Sequence, residues 1–107
     1  MAFQKVATLD ELWSGEMMAV ECGGKQVLLV NVGREIRAYE DACPHLRTRL
    51  SEGSLRDRVL TCRTHGWQFD ASTGEGINPR TAYIPSFAVQ VDGGNILVDP
   101  TKVEPDG

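Results

Sequence analysis

The sequence predicts an antiparallel all-β domain, a sandwich or a barrel. Three observations predict it: short segments alternate apolar and polar residues at a period of two, glycine-rich turns separate them, and no stretch sustains a 3.6-residue period. At 107 residues the chain supports one hydrophobic core.

Residues 3–7 read as a first strand. Thr8-Leu9-Asp10-Glu11 follows with the Thr-x-x-Glu pattern of a capping box, enough for one helical turn before Gly15. Residues 17–22 and 25–32 flank Gly23-Gly24, a two-residue link suited to a tight hairpin. Gly33-Arg34-Glu35 turns into a strand over 36–39. Residues 58–61 and 66–70 are strand-like, and residues 72–76 turn the chain toward Ile77. Phe87, Val89 and Val91 alternate with Ala88 and Gln90, and Asp92-Gly93-Gly94-Asn95 then leads into Ile96-Leu97-Val98 as a second hairpin. Residues 99–107, with two prolines and a terminal glycine, read as a loosely tethered tail, so the domain is expected to span 1–98.

An apolar fraction of 41% and a charged fraction of 24% are those of a compact, water-soluble protein. The longest aliphatic run, residues 27–30, is far short of the ~20 residues a membrane-spanning helix needs. The first residues lack a basic, then apolar, export pattern, so no membrane association and a cytoplasmic location are expected. A net charge of −4 argues against nucleic acid as the main partner. The charge is uneven: residues 43–69 carry Arg47, Arg49, Arg56, Arg58 and Arg63 against Glu52 and Asp57, a net of +3 in a chain otherwise at −7. Three cysteines, an odd number, argue against a disulfide framework.

Cys43-Pro44-His45 and Cys62-Arg63-Thr64-His65 contain both histidines and two of the three cysteines. Each pair follows a strand-like segment, so two adjacent loops can bring four metal ligands together. Two identities compete. A Cys₂His₂ set closes a tetrahedral zinc site, although structural zinc usually draws on a Cys-x₂₋₄-Cys knuckle. An asymmetric two-iron centre suits the pattern better, because one iron then takes the two thiolates and the other the two imidazoles.

With Cys43, His45, Cys62 and His65 in the pattern Cys-x-His…Cys-x₂-His, the sequence resembles the Rieske-type ferredoxins. The strings Phe3-Gln4-Lys5-Val6, Leu9-Asp10-Glu11-Leu12-Trp13, Leu50-Ser51-Glu52-Gly53-Ser54 and Gly76-Ile77-Asn78-Pro79 look like the ferredoxin component of bacterial toluene and alkene monooxygenases. The resemblance covers roughly residues 3–98. It implies three stacked antiparallel sheets with one [2Fe–2S] cluster held by two loops at one tip, Cys43 and Cys62 on the inner iron, His45 and His65 on the outer. It implies a soluble one-electron carrier between a NADH-dependent flavin/iron–sulfur reductase and a diiron hydroxylase, and a shuttling carrier works best as a monomer. The alternatives are a ferredoxin of a ring-hydroxylating dioxygenase and, from another class, a structural zinc-binding interaction module. High-potential members add a cysteine in each loop and hydroxyl donors near the cluster; this chain has Arg47 and Thr64, and Trp67 and Phe69, at those positions, which implies a potential at the low end of the Rieske range.

Cys22, beside a glycine turn and without a histidine partner, reads as a structural thiol. Trp67 fits either a shield for the centre or ordinary packing. Gly66 and Pro85 fit a close approach to the cluster or simple turns, and Trp13, Met17 and Met18 read as core or edge packing. No nucleophile–base pair, carboxylate pair or phosphate loop is present, so the chain is not expected to turn over a substrate by itself.

Overall fold

The computed structural model describes residues 3–33, 35–43, 48–63, 66–78 and 80–104, with side chains up to residue 100. Ten strands form: β1 (Gln4–Thr8), β2 (Met17–Cys22), β3 (Lys25–Val32), β4 (Glu35–Glu40), β5 (Ser54–Arg56), β6 (Val59–Thr61), β7 (Gln68–Asp70), β8 (Gly76–Asn78), β9 (Ser86–Asp92) and β10 (Asn95–Glu104). Two single 3₁₀ turns, Leu9–Glu11 and Leu50–Glu52, are the helical elements among the described residues. In the first, Glu11 reaches back to accept from the Thr8 N–H at 2.9 Å and the Thr8 hydroxyl at 3.2 Å, as the capping pattern predicts.

The strands pair antiparallel in two sheets, β1-β10-β9-β4-β3-β2 and β5-β6-β7-β8, where three had been expected. The difference has a local cause. The larger sheet consists of two three-stranded arrays joined by a seam between β4 and β9 that pairs only Ala38 with Phe87 and Tyr39 with Ser86.

Strand β3 is the middle strand of the β4-β3-β2 array, and its alternation explains its unbroken apolar run. Leu28, Val30 and Val32 face one buried cluster with Tyr39, Leu50, Leu60, Phe69 and Ile84, beneath the smaller sheet. Val27 and Leu29 face the other, with Leu12, Ala38, Phe87, Ile96 and Val98. A strand buried on both faces has no polar side to show.

Three expectations change. The chain beyond residue 98 continues β10: Asp99 pairs with Ala88, a bulge intervenes, and Val103 pairs with Phe87. Asp99 is fully buried and Pro100 lies against Gly23, so this segment is part of the sheet to Glu104. Trp13 is not a packing residue but 69% exposed, held at the surface by its indole N–H donating to the Asp10 carbonyl at 3.0 Å. Strand β5 and the Leu50–Glu52 turn lie where no element was predicted. Met17 and Met18 do pack, one on each cluster.

Candidate metal centre

Two loops matter, one between β4 and the Leu50–Glu52 turn, the other between β6 and β7. In the first, the Cys43 N–H donates to the Thr48 carbonyl at 2.7 Å. In the second, the β6–β7 ladder pairs Thr61 with Gln68, and one further rung carries the Cys62 N–H to the Trp67 carbonyl at 2.8 Å. Gly66 turns this loop with φ +70°, its N–H donating to the Cys62 carbonyl at 3.1 Å. That backbone angle is one that favours glycine. The Pro85 carbonyl likewise accepts from the Glu40 N–H at 3.0 Å, at the end of β4.

Cys43 and Cys62 are 1% and 2% exposed, belong to the same buried cluster, and form no disulfide. Two thiols thus stand in apolar surroundings at the closing rungs of two loops, with Trp67 packed half-buried against the same cluster. This donor pair fits the thiolate half of an iron–sulfur centre, since soft sulfur ligands in a water-poor pocket select such clusters and zinc. His45 and His65 lie outside the described residues, as do Arg47 and Thr64.

Cys22 sits elsewhere, in the second cluster on β2, with its thiol directed at the Val98 carbonyl at 3.7 Å. Burial pushes its pKa up and the neighbouring Asp99 carboxylate adds to the effect, so the thiol stays protonated at neutral pH, as a structural cysteine should.

Around the first loop is a set of contacts that the sequence did not disclose. Asp41, two residues before Cys43, has a side chain with no solvent exposure. Its carboxylate accepts from the Ser51 N–H and the Ser51 hydroxyl, each at 2.8 Å, and from Arg49 Nε at 3.3 Å. Arg49 also donates to the Gln26 side-chain oxygen at 2.7 Å. Gly53 brings the second loop close, since a Cβ on it would run into the carbonyl oxygen of Thr61, the residue before Cys62. An aspartate and a serine ten positions apart carry no local signature; the only available signal was a charged residue two positions before a buried cysteine, which needs a partner.

Of the five arginines in the positive stretch at 43–69, three have specific partners among the described residues. Arg49 holds Asp41, Arg58 donates to the Ser72 hydroxyl at 2.7 Å, and Arg63 pairs with Glu52 at 3.4 Å in the open.

The profile of the Rieske [2Fe–2S] domain matches residues 2–88. The chain is 40% identical, over 95% of its length and 84% of the relative's, to the ferredoxin component of the alkene monooxygenase system of Xanthobacter autotrophicus. The ferredoxin of carbazole 1,9a-dioxygenase from Nocardioides aromaticivorans superposes with a TM-score of 0.84 at 31% identity, covering 94% of this chain and 99% of that one. A chain in the solved complex of reduced oxygenase and oxidized ferredoxin in carbazole 1,9a-dioxygenase gives 0.81 at 32% identity, over 90% and 91% of the two chains.

Proposed function

The chain belongs to the Rieske [2Fe–2S] domain family, and from that premise we propose that it is a ferredoxin whose cluster is held by Cys43, His45, Cys62 and His65. It takes single electrons from a NADH-dependent flavin/iron–sulfur reductase and passes them to the diiron hydroxylase of an aromatic or alkene monooxygenase. The observation that carries this reading is the pair of buried, unbridged thiols at the closing rungs of two neighbouring loops.

The bound cluster supplies one-electron redox chemistry. The chain's residues do the rest. Leu50, Leu60, Phe69 and Ile84 keep water from the Cys43 and Cys62 sulfurs. The cross-loop hydrogen bonds at Cys43 and Cys62 fix both loop bases, so that little reorganises when one electron arrives or leaves. Phe69 brings no hydroxyl and the buried Tyr39 hydroxyl donates to the Ala71 carbonyl at 2.8 Å, which supports a low potential. The histidine ligands are assigned on spacing alone. As ligands they would bring the cluster's redox chemistry to the loop ends, so the loop surface would be the contact face for redox partners.

Similarity to an alkene monooxygenase ferredoxin supports the diiron partner; the two carbazole dioxygenase structures favour a second reading, a dioxygenase ferredoxin. No helix among the described residues is long and apolar enough to cross a membrane. In this reading the protein acts in the cytoplasm, and a carrier that shuttles between two partners works best as a monomer.

Stopped-flow mixing decides between the partners. Holoprotein reduced with dithionite and freed of excess reductant is mixed with a diiron hydroxylase or with the terminal oxygenase of a ring-hydroxylating dioxygenase. Faster reoxidation by the hydroxylase is expected. Faster reoxidation by the dioxygenase selects the second reading, and none by either overturns the carrier role.

A further inference from the structure

Two turns of this molecule are closed by the same device. After β7, the Asp70 carboxylate accepts from the Ser72 N–H at 2.9 Å and the Ser72 hydroxyl at 2.6 Å, and Arg58 donates to that hydroxyl. After β4, the Asp41 carboxylate accepts from the N–H and hydroxyl of Ser51 and from Arg49. The first closes a span of two residues; the second closes ten, and within those ten lies Cys43.

Burying a carboxylate is costly unless every lone pair facing the interior finds a donor. Asp41 meets that condition with donors from the far end of the loop, while its own N–H is anchored to the Gln26 carbonyl of β3 at 3.1 Å. The loop is therefore tied at both ends to Gln26 of β3, through the Asp41 N–H and through Arg49. The tie continues onward: Ser51 lies in the Leu50–Glu52 turn, Leu50 is fully buried in the same cluster as both loop cysteines, and Gly53 packs on the carbonyl of Thr61 beside Cys62.

We propose that Asp41 is a positioning residue for the metal centre: by drawing Ser51 and Arg49 onto the residue two before Cys43, it sets the reach of the first ligand loop toward the second. This rests on Cys43 being a ligand. Residues that orient ligands without touching the metal are typically worth about 10–100-fold in metal affinity, whereas a carboxylate that merely closes a turn affects stability alone.

The Asp70 turn supplies the control. Wild type, Asp41→Asn, Ser51→Ala and Asp70→Asn are purified as holoproteins, Cys43→Ser is prepared in the same way, and the visible circular dichroism and the rate of colour loss under EDTA are measured. Asp41→Asn and Ser51→Ala are expected to lose the cluster about tenfold faster than wild type or more, with an altered dichroism. Asp70→Asn is expected to lower Tm yet keep the wild-type spectrum and rate. If Asp41→Asn yields no folded holoprotein, Ser51→Ala, which leaves the charge in place, decides alone. Wild-type dichroism and EDTA rates in the Asp41 and Ser51 variants, with Cys43→Ser losing the cluster, overturn the positioning role. A wild-type spectrum in Cys43→Ser overturns the ligand assignment instead.

Discussion

Cys22 and the two loop cysteines are all buried, and what separates them is their neighbours. Cys22 has a backbone carbonyl and a carboxylate nearby, both of which favour the protonated thiol. Cys22→Ser should leave the visible spectrum of the holoprotein unchanged while lowering stability by about 1–3 kcal/mol, the cost of a buried hydroxyl in an apolar site. A changed spectrum would bring Cys22 into the centre. Asp70 offers a pH test at the same scale. Burial raises its pKa, but the two hydrogen bonds from Ser72 and the Arg58 charge outweigh it, leaving the carboxyl below its ordinary value of 3.8. A depressed folded-state pKa contributes stability that is present above the unfolded value and lost as pH falls through the folded one. The destabilisation caused by Asp70→Asn, followed by urea unfolding, should therefore be full near pH 6 and shrink below about pH 4; a deficit that does not change with pH would refute it. The cysteine–histidine motif was legible because those residue types are rare and their spacing is tight. Asp41 and Ser51 were not, because they are common polar residues joined only by the folded chain.

At the scale of elements, the β2–β3 and β9–β10 hairpins were legible because their glycine pairs sit between strands that alternate cleanly, and the registers Cys22 to Lys25 and Asn95 to Asp92 follow from the turn length. Strand β5 has three residues and too short an alternation to read. The continuation of β10 was hidden by Pro100, which interrupts the ladder at a bulge and is accommodated there. Gly53 belongs to this scale, since it lets the end of the first loop lie against β6. Gly53→Ala should destabilise the holoprotein by about 1–3 kcal/mol, the usual cost of overpacking, and speed cluster loss, because the Thr61 carbonyl moves with Cys62. Wild-type Tm and wild-type cluster retention in this variant would show that the two loops are not coupled through that contact.

For the whole molecule, the division into two buried clusters on either face of β3 places both loop cysteines with the smaller sheet and Cys22 with the other. The sequence carried the all-β class but not the seam that merges two arrays into one sheet, since two residue pairs leave no pattern along the chain. It carried the positive stretch at 43–69 but not which arginines are committed internally. Arg49 and Arg58 hold Asp41 and Ser72, so reversing Arg49 would disturb the fold of the loop. The positive stretch could orient an acidic redox partner toward the loops, and Arg63 is the residue that tests this, because its pair with Glu52 is exposed on both sides and worth little. Arg63→Glu should slow bimolecular electron transfer at low salt and converge with wild type at high salt, where the attraction is screened. Equal rates at every ionic strength would leave Arg63 as a solvated residue.

The visible absorption spectrum of the anaerobically purified protein, recorded before and after dithionite, tests the central assignment most directly. A coloured protein that bleaches partly on reduction is the predicted result, as two irons accepting one electron require. A colourless protein that retains stoichiometric zinc would contradict the account and make the four-residue motif a structural site.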